Sequence, residues 1–267
     1  MSAVADVVTE DAILLRDDCD GVVTLTLNRP KQFNVLSEAM LAALQSELDK
    51  IGQDERVRVV VIAARGKAFC AGHDLKEMRA HPEKSYYTAL FEQCSRMMMT
   101  INCLPQPVIA KVQGLATAAG CQLVAACDLA VTVDSARFAT SGINVGLFCS
   151  TPAVAVSRNL SRKKAFELLV TGKFIDAQAA LAQGLVNRVV PADELEAAVQ
   201  ELVAAILTKS LVAVATGKKM FYQQLEMGME AAYQYAGEVM ACNMMAEDAG
   251  EGIDAFIEKR QPVWRNR

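Results

Sequence analysis

The sequence predicts an α/β fold that closes in a helical C-terminal third, on three observations. Short β-branched runs alternate with amphipathic helical patterns through the first two thirds of the chain, with no low-complexity linker between them. From Ser161 onward helical periodicity dominates, with "LVNRVV" the one strand candidate. At 267 residues, 52% hydrophobic and 22% charged, the chain can bury a large core and is not disordered. We divide it at residue 200: a β/α core over 1–200 and a helical region over 201–267 expected to serve as a lid or an oligomer contact.

The elements follow in order. "GVVTLTLN", from Gly21 to Asn28, alternates with period two and reads as a strand. Ser37 stands as an N-cap before a helix that places Met40, Leu41, Leu44, Leu48 and Ile51 on one face. "VRVVVIAA" is a continuous apolar run, as expected of a strand covered on both faces. "RGKAFCAGHDLKEM" reads as a loop leading into a helix, with Asp74 and Glu77 spaced as a capping box. A long helix over 85–102 ends at "CLPQP", where two prolines forbid continuation. "PVIAKVQG" is the next strand, 114–126 a turn and helix, and "LAVTV" another strand. Further on, Asp176 and Gly184 bracket a short helix, one as its cap and the other as its stop.

Composition excludes several function classes. Net charge is −4 and no Lys/Arg stripe is present, so a nucleic-acid partner is not expected. The eight cysteines form no CxxC pair and have no adjacent histidine. They read as reduced thiols packed as small hydrophobes, with no metal site, in a reducing compartment. The first residues, "MSAVADVVTEDAILLRDD", carry acids and match neither a secretory signal nor an Arg-rich transit peptide. No apolar run approaches the ~20 residues of a membrane span. These features lead to the expectation of a soluble cytoplasmic protein.

Two segments point to chemistry. "AFCAGHDLKEM" and "GLATAAG" each carry small residues into a helix start, where unpaired backbone N–H groups favour negative charge. One donor from each loop would make an oxyanion hole, worth ~10²–10³ in rate per donor. "GLATAAG" lacks the GxGxxG spacing, so dinucleotide binding is rejected.

The segments "LTLNRPKQFNVLS", "VVVIAARGKAFCAGHDLKEM", "PVIAKVQGLATAAGCQLVAACDLAV", "TGKFIDAQAALAQGLVNRVVP" and "AFIEKRQPVW" occur in that order. Together they resemble the crotonase superfamily of enoyl-CoA hydratases and isomerases, over about Gly21 to Trp264. "AGHDLKE" and "NVGLFCSTP" are similar to one branch of it. The resemblance implies a spiral of ββα units with a helical C-terminal region that trimerises, as a homotrimer or a dimer of trimers. It implies an acyl-CoA thioester as ligand and no cofactor beyond the coenzyme A that the substrate carries. By resemblance the oxyanion donors are the backbone N–H groups of His73 and Ala119, the latter standing where the family usually has glycine. Ala71, Gly72, Asp74 and Leu75 would line the coenzyme, Lys31, Gln32 and Phe33 would flank it, and Phe256 and Lys259 would reach a coenzyme on the same or a neighbouring subunit.

The same resemblance exposes a departure. Hydratases activate water between two glutamates; this chain has Gln122 at the first position and Gly142, in "TSGINVGL", at the second. Each acid–base partner contributes ~10²–10⁴ in rate. An amide orients water but takes no proton. Conventional hydration is therefore expected to be weak or absent, and an acyl-CoA binder without turnover stands as the alternative. His73, Ser141, Asn144 and Cys149 are the other side chains near these positions that chemistry could use.

Overall fold

A computed structural model describes residues 12–267, so the expectation about the leader falls largely outside the described residues. Two strands open the fold, β1 (Leu14–Cys19) and β2 (Val22–Leu27), paired antiparallel around Asp20 and Gly21. Both turn residues have positive φ, 48° and 80°, the geometry an Asp-Gly pair supplies in a two-residue hairpin. The sequence reading placed no strand before Gly21. Helix α1 (Glu38–Gly52) follows, capped by Ser37, whose hydroxyl accepts from the Met40 N–H; all five residues of its expected apolar face are buried.

The chain then repeats one unit three times. β3 (Val59–Ala64), β4 (Ala68–Cys70) and α2 (Leu75–Ala80) form the first, followed by the long α3 (Lys84–Cys103). β5 (Val108–Val112), β6 (Leu115–Thr117) and α4 (Ala119–Ala126) form the second. β7 (Leu129–Val133), β8 (Arg137–Ala139) and, after a single helical turn, α5 (Ser150–Asn159) form the third. In each unit the first strand joins a six-stranded sheet, β1-β2-β3-β5-β7 with β10 (Arg188–Val190) at the edge, parallel from β2 onward. The second strand joins a small sheet in which β4, β6 and β8 run parallel and β9 (Ile175–Asp176) lies antiparallel at the edge. This is the expected spiral of ββα units.

Helices α6 (Arg162–Thr171), α7 (Ala177–Ala182) and α8 (Leu195–Leu207) complete the core. Asp176 caps α7 by accepting from the Ala179 N–H, and Gly184 follows its end with φ 86°. Helices α9 (Leu211–Gln224), α10 (Met229–Met244) and α11 (Glu247–Glu258) form the C-terminal region. A buried ion pair fixes α9 to the core. Lys218 Nζ lies 2.6 Å from Asp128 Oδ2 and also donates to the Ile101 and Gln106 carbonyls, so all three of its protons are used. Asp128 further accepts from the Val108 N–H and the Tyr222 hydroxyl. Among the described residues no single helix is long and apolar enough to cross a membrane, and no group of side chains is arranged to hold a metal ion.

All eight cysteines are free; Cys70, Cys94, Cys121, Cys127 and Cys149 are buried as expected, while Cys19, Cys103 and Cys242 are exposed. The capping box at α2 is only half formed. Asp74 accepts from the Lys76 and Glu77 N–H groups, but Glu77 reaches the Glu38 N–H and so caps α1 instead.

Candidate active site

Because β4, β6 and β8 are parallel neighbours, their carboxyl ends open on one place. Ligands of open α/β sheets bind at such ends. Residues that leave each of these strands line one cavity of about 210 Å³: Ala71, His73 and Leu75 after β4, Ala118 and Ala119 after β6, Ser141 and Gly142 after β8. Met78, Phe91, Val145, Leu147, Phe148 and Cys149 close its sides. The volume is below the ~300–1,000 Å³ of drug-sized sites. No Asp, Glu, Lys or Arg lines it.

The first two turns touch. Gly72 has φ 92°, and a Cβ there would meet the Ala118 Cβ at 2.9 Å and the Ala119 nitrogen at 3.2 Å, so the approach requires glycine. Ala118, the residue before α4, holds φ 51° and ψ −122°, strained backbone for an L residue at a cost of about 1–3 kcal/mol. Its own N–H is taken by the Ala139 carbonyl. Neither His73 nor Ala119 donates its N–H to a protein acceptor among the described residues. Two free backbone donors at the edge of an apolar cavity can hold a carbonyl oxygen that gains negative charge.

The third turn is tied to the second by Thr117 Oγ1 and Ser141 Oγ, 2.7 Å apart. At Gly142 a Cβ would stand 2.6 Å from the Leu147 carbonyl oxygen and 2.8 Å from the Cys149 sulfur. No side chain fits there without movement. Burial pushes the Cys149 thiol above its ordinary pKa, with the Gly142 N–H opposing the shift, so the thiol is protonated at neutral pH and is a weak nucleophile. Burial lowers His73 to a pKa of about 4, leaving a neutral imidazole.

Other expected site residues fall elsewhere. Gln122 sits one turn into α4, 4% exposed and outside the cavity lining, with Oε1 buried and unpartnered. Gly72 and Asp74 do not line the cavity, although both shape the β4 turn. Lys31 and Gln32 lie in a helical turn and Phe33 at its end, held beside the site by the Ala71 N–H on the Phe33 carbonyl. The structure does not bring Phe256 or Lys259 to this cavity: Phe256 is 85% exposed on α11, and Lys259 ends that helix with φ 56°. Asn144 braces the Gly172 carbonyl and is likewise not in the lining.

Sequence reasoning missed Asn34. Fully buried at φ 53°, it accepts from the Arg29 N–H and donates to the Arg65 and Ala68 carbonyls, tying the Lys31 loop to β4. An asparagine is among the residues that adopt this conformation, but nothing in its neighbourhood signals the long-range bonds.

The fold and this cavity define a class, the crotonase-type spiral of ββα units, and comparison with known proteins agrees. The enoyl-CoA hydratase/isomerase family profile matches residues 17–267, and the chain belongs to that family. It is 47% identical to rat enoyl-CoA hydratase domain-containing protein 3, mitochondrial, over 245 residues, 92% of this chain and 82% of that protein. The human protein of the same name is 46% identical, over 92% of this chain and 81% of its own length. A crystal structure of an enoyl-CoA hydratase from Mycobacterium smegmatis is 60% identical, with TM-score 0.94 over 95% of this chain and 99% of that one. The human enoyl-CoA hydratase domain-containing protein 3 structure has TM-score 0.92 at 45% identity, over 95% of this chain and 100% of that one. The branch marked by "AGHDLKE" and "NVGLFCSTP" is thus the one that these relatives represent. One expectation is overturned: the rat, mouse, frog, human and zebrafish relatives carry "mitochondrial" in their names, against a cytoplasmic reading. The acidic first residues of the sequence and the reduced thiols did not discriminate between these compartments.

Proposed function

We propose that this protein binds an acyl-CoA thioester, holds its carbonyl oxygen between the N–H groups of His73 and Ala119, and stabilises the enolate without efficient hydration. The observation that carries the proposal is the pairing of two unclaimed backbone donors with a cavity that no carboxylate lines. Enolate charge would be met by fixed dipoles in an apolar site, where they act most strongly. Water activation has no carboxylate: Gln122 cannot take a proton, Gly142 has no side chain, the Cys149 thiol stays protonated, and burial leaves the neutral His73 imidazole only a weak base. The coenzyme arrives with the substrate, and no further cofactor is required. The same site favours acyl-CoA binding without turnover as the second reading, for the same lack of a carboxylate.

The proposed assembly is a homotrimer or a dimer of trimers. Supporting it, Met229, Tyr233, Met240 and Met245 on or beside α10, and Phe256 and Ile257 on α11, are largely exposed in the single chain. Contiguous exposed apolar surface marks association sites.

Calorimetric titration with butyryl-CoA and with S-butyl-CoA, its thioether lacking the carbonyl, tests the hole. Two hydrogen bonds at about 0.5–1.5 kcal/mol each predict binding of the thioester roughly 5- to 150-fold tighter. Equal affinities would remove the carbonyl from the recognition and the proposal with it.

A further inference from the structure

The cavity carries the side chains of His73, Ser141, Cys149, Ser150 and Thr151 among its apolar ones. Among its lining residues, His73 is the one with a buried polar atom lacking any partner, Nε2. The ring makes no hydrogen bond to protein and packs edge-on against Phe91, centroids 5.5 Å apart at 73°. Phe91 is apolar, as are Leu75, Met78, Val145 and Phe148 of the same lining. The Ser141 hydroxyl, by contrast, is engaged by Thr117, and the Cys149 sulfur by the Gly142 N–H. A buried polar atom left unpaired costs about 1–3 kcal/mol, a cost that phenylalanine or leucine at this position would avoid. A cavity meant for hydrocarbon alone gains nothing from an imidazole.

Position narrows what the ring can meet. The main-chain N–H of His73 is one of the two donors assigned above to the thioester oxygen. A ring on that same residue, lining the same cavity, can reach atoms a few bonds from the carbonyl. No lining residue is charged, so a carboxylate on the acyl chain has no counter-ion. We propose that the His73 imidazole is a specificity-determining group that hydrogen-bonds an oxygen on the β-carbon of the acyl chain, so that the cavity prefers an uncharged 3-hydroxyacyl thioester to its saturated counterpart. The inference rests on the thioester reading of the site. It adds that recognition is by a side chain as well as by the backbone. A site built to bond a hydroxyl discriminates against the analogue that lacks it, because the site's own buried polar atom is then left unpaired.

The test is calorimetric titration of the full chain with the two enantiomers of 3-hydroxybutyryl-CoA and with butyryl-CoA. The expected result is binding of one enantiomer about tenfold tighter than butyryl-CoA, the ratio that one well-made neutral hydrogen bond supplies. In His73→Phe the ratio should fall to near one, and in His73→Asn, which keeps a donor and an acceptor, part of it should return. His73→Leu provides a second apolar variant should the phenylalanine disturb folding, as circular dichroism would reveal. Equal affinities in the wild type overturn the proposal, as does a ratio that survives in the apolar variants. Failure of the wild type to bind any of the three thioesters overturns the acyl-CoA reading itself, and this inference with it.

Discussion

Gly142 shows why a carboxylate cannot simply be restored to this site. Its would-be Cβ meets backbone at 2.6 Å, so even Gly142→Ala must push the 147–149 segment aside. Overpacking of this kind costs about 1–3 kcal/mol, and we expect the variant to melt several degrees below the wild type. The Gln122→Glu/Gly142→Glu double variant should gain no hydration of crotonyl-CoA, read by the ultraviolet absorbance of the enoyl thioester. Appearance of hydratase turnover would show that the pocket tolerates the ancestral geometry after all. His73 yields a pH dependence whose sign follows from its depressed pKa of about 4. Well above pH 6.5 the ring is neutral in both folded and unfolded chains and contributes no slope. As pH falls from 6.5 towards 4 the unfolded chain takes up a proton that the folded one refuses, so stability is lost. The loss from this group is roughly 1–2 kcal/mol at pH 5, and urea unfolding at pH 7 and pH 5 should show a smaller drop in His73→Phe. The sequence pointed to both turns at this scale because small residues before a helix start are visible in "AFCAG" and "ATAAG". It did not show that Gln122 lies outside the lining, since depth along α4 depends on how that helix meets the small sheet.

Several elements of five residues or more could be read from pattern alone. α1, with its cap and its five buried apolar positions, and β7, with its bounds, matched the reading. β4, β6, β8 and β9 are two or three residues each, too short for a period to emerge, yet three of them build the site. "AFCAGH", "LATAAG" and "RFATSG" do share one signal, small residues closing a short apolar run, and the third was recognised only through family resemblance. β1 and its Asp-Gly turn were also legible and went unread. The clamp on α9 was not legible, because Lys218 and Asp128 are 90 residues apart. Removing Lys218 leaves a buried carboxylate short of its ion partner, which costs about 3–5 kcal/mol. Lys218→Met should therefore shift the urea midpoint strongly. The Lys218→Met/Asp128→Leu double variant should lose less than the sum of the two singles, since neither charge is then stranded.

Over the whole molecule, the ββα repeat places three strand ends side by side and the C-terminal helices leave an apolar face uncovered. Charges at Tyr233 and Met240, both exposed on α10, should weaken the proposed trimer: sedimentation velocity is expected to show wild-type trimers or hexamers and smaller species for Tyr233→Glu/Met240→Glu. A wild-type monomer would remove the assembly from the account. The central claim, a thioester site with two oxyanion donors and no carboxylate to activate water, is tested most directly by calorimetric titration with crotonyl-CoA. The account predicts a saturating isotherm with no heat continuing after each injection. Sustained heat with conversion of the enoyl group would contradict it, as would the absence of any binding.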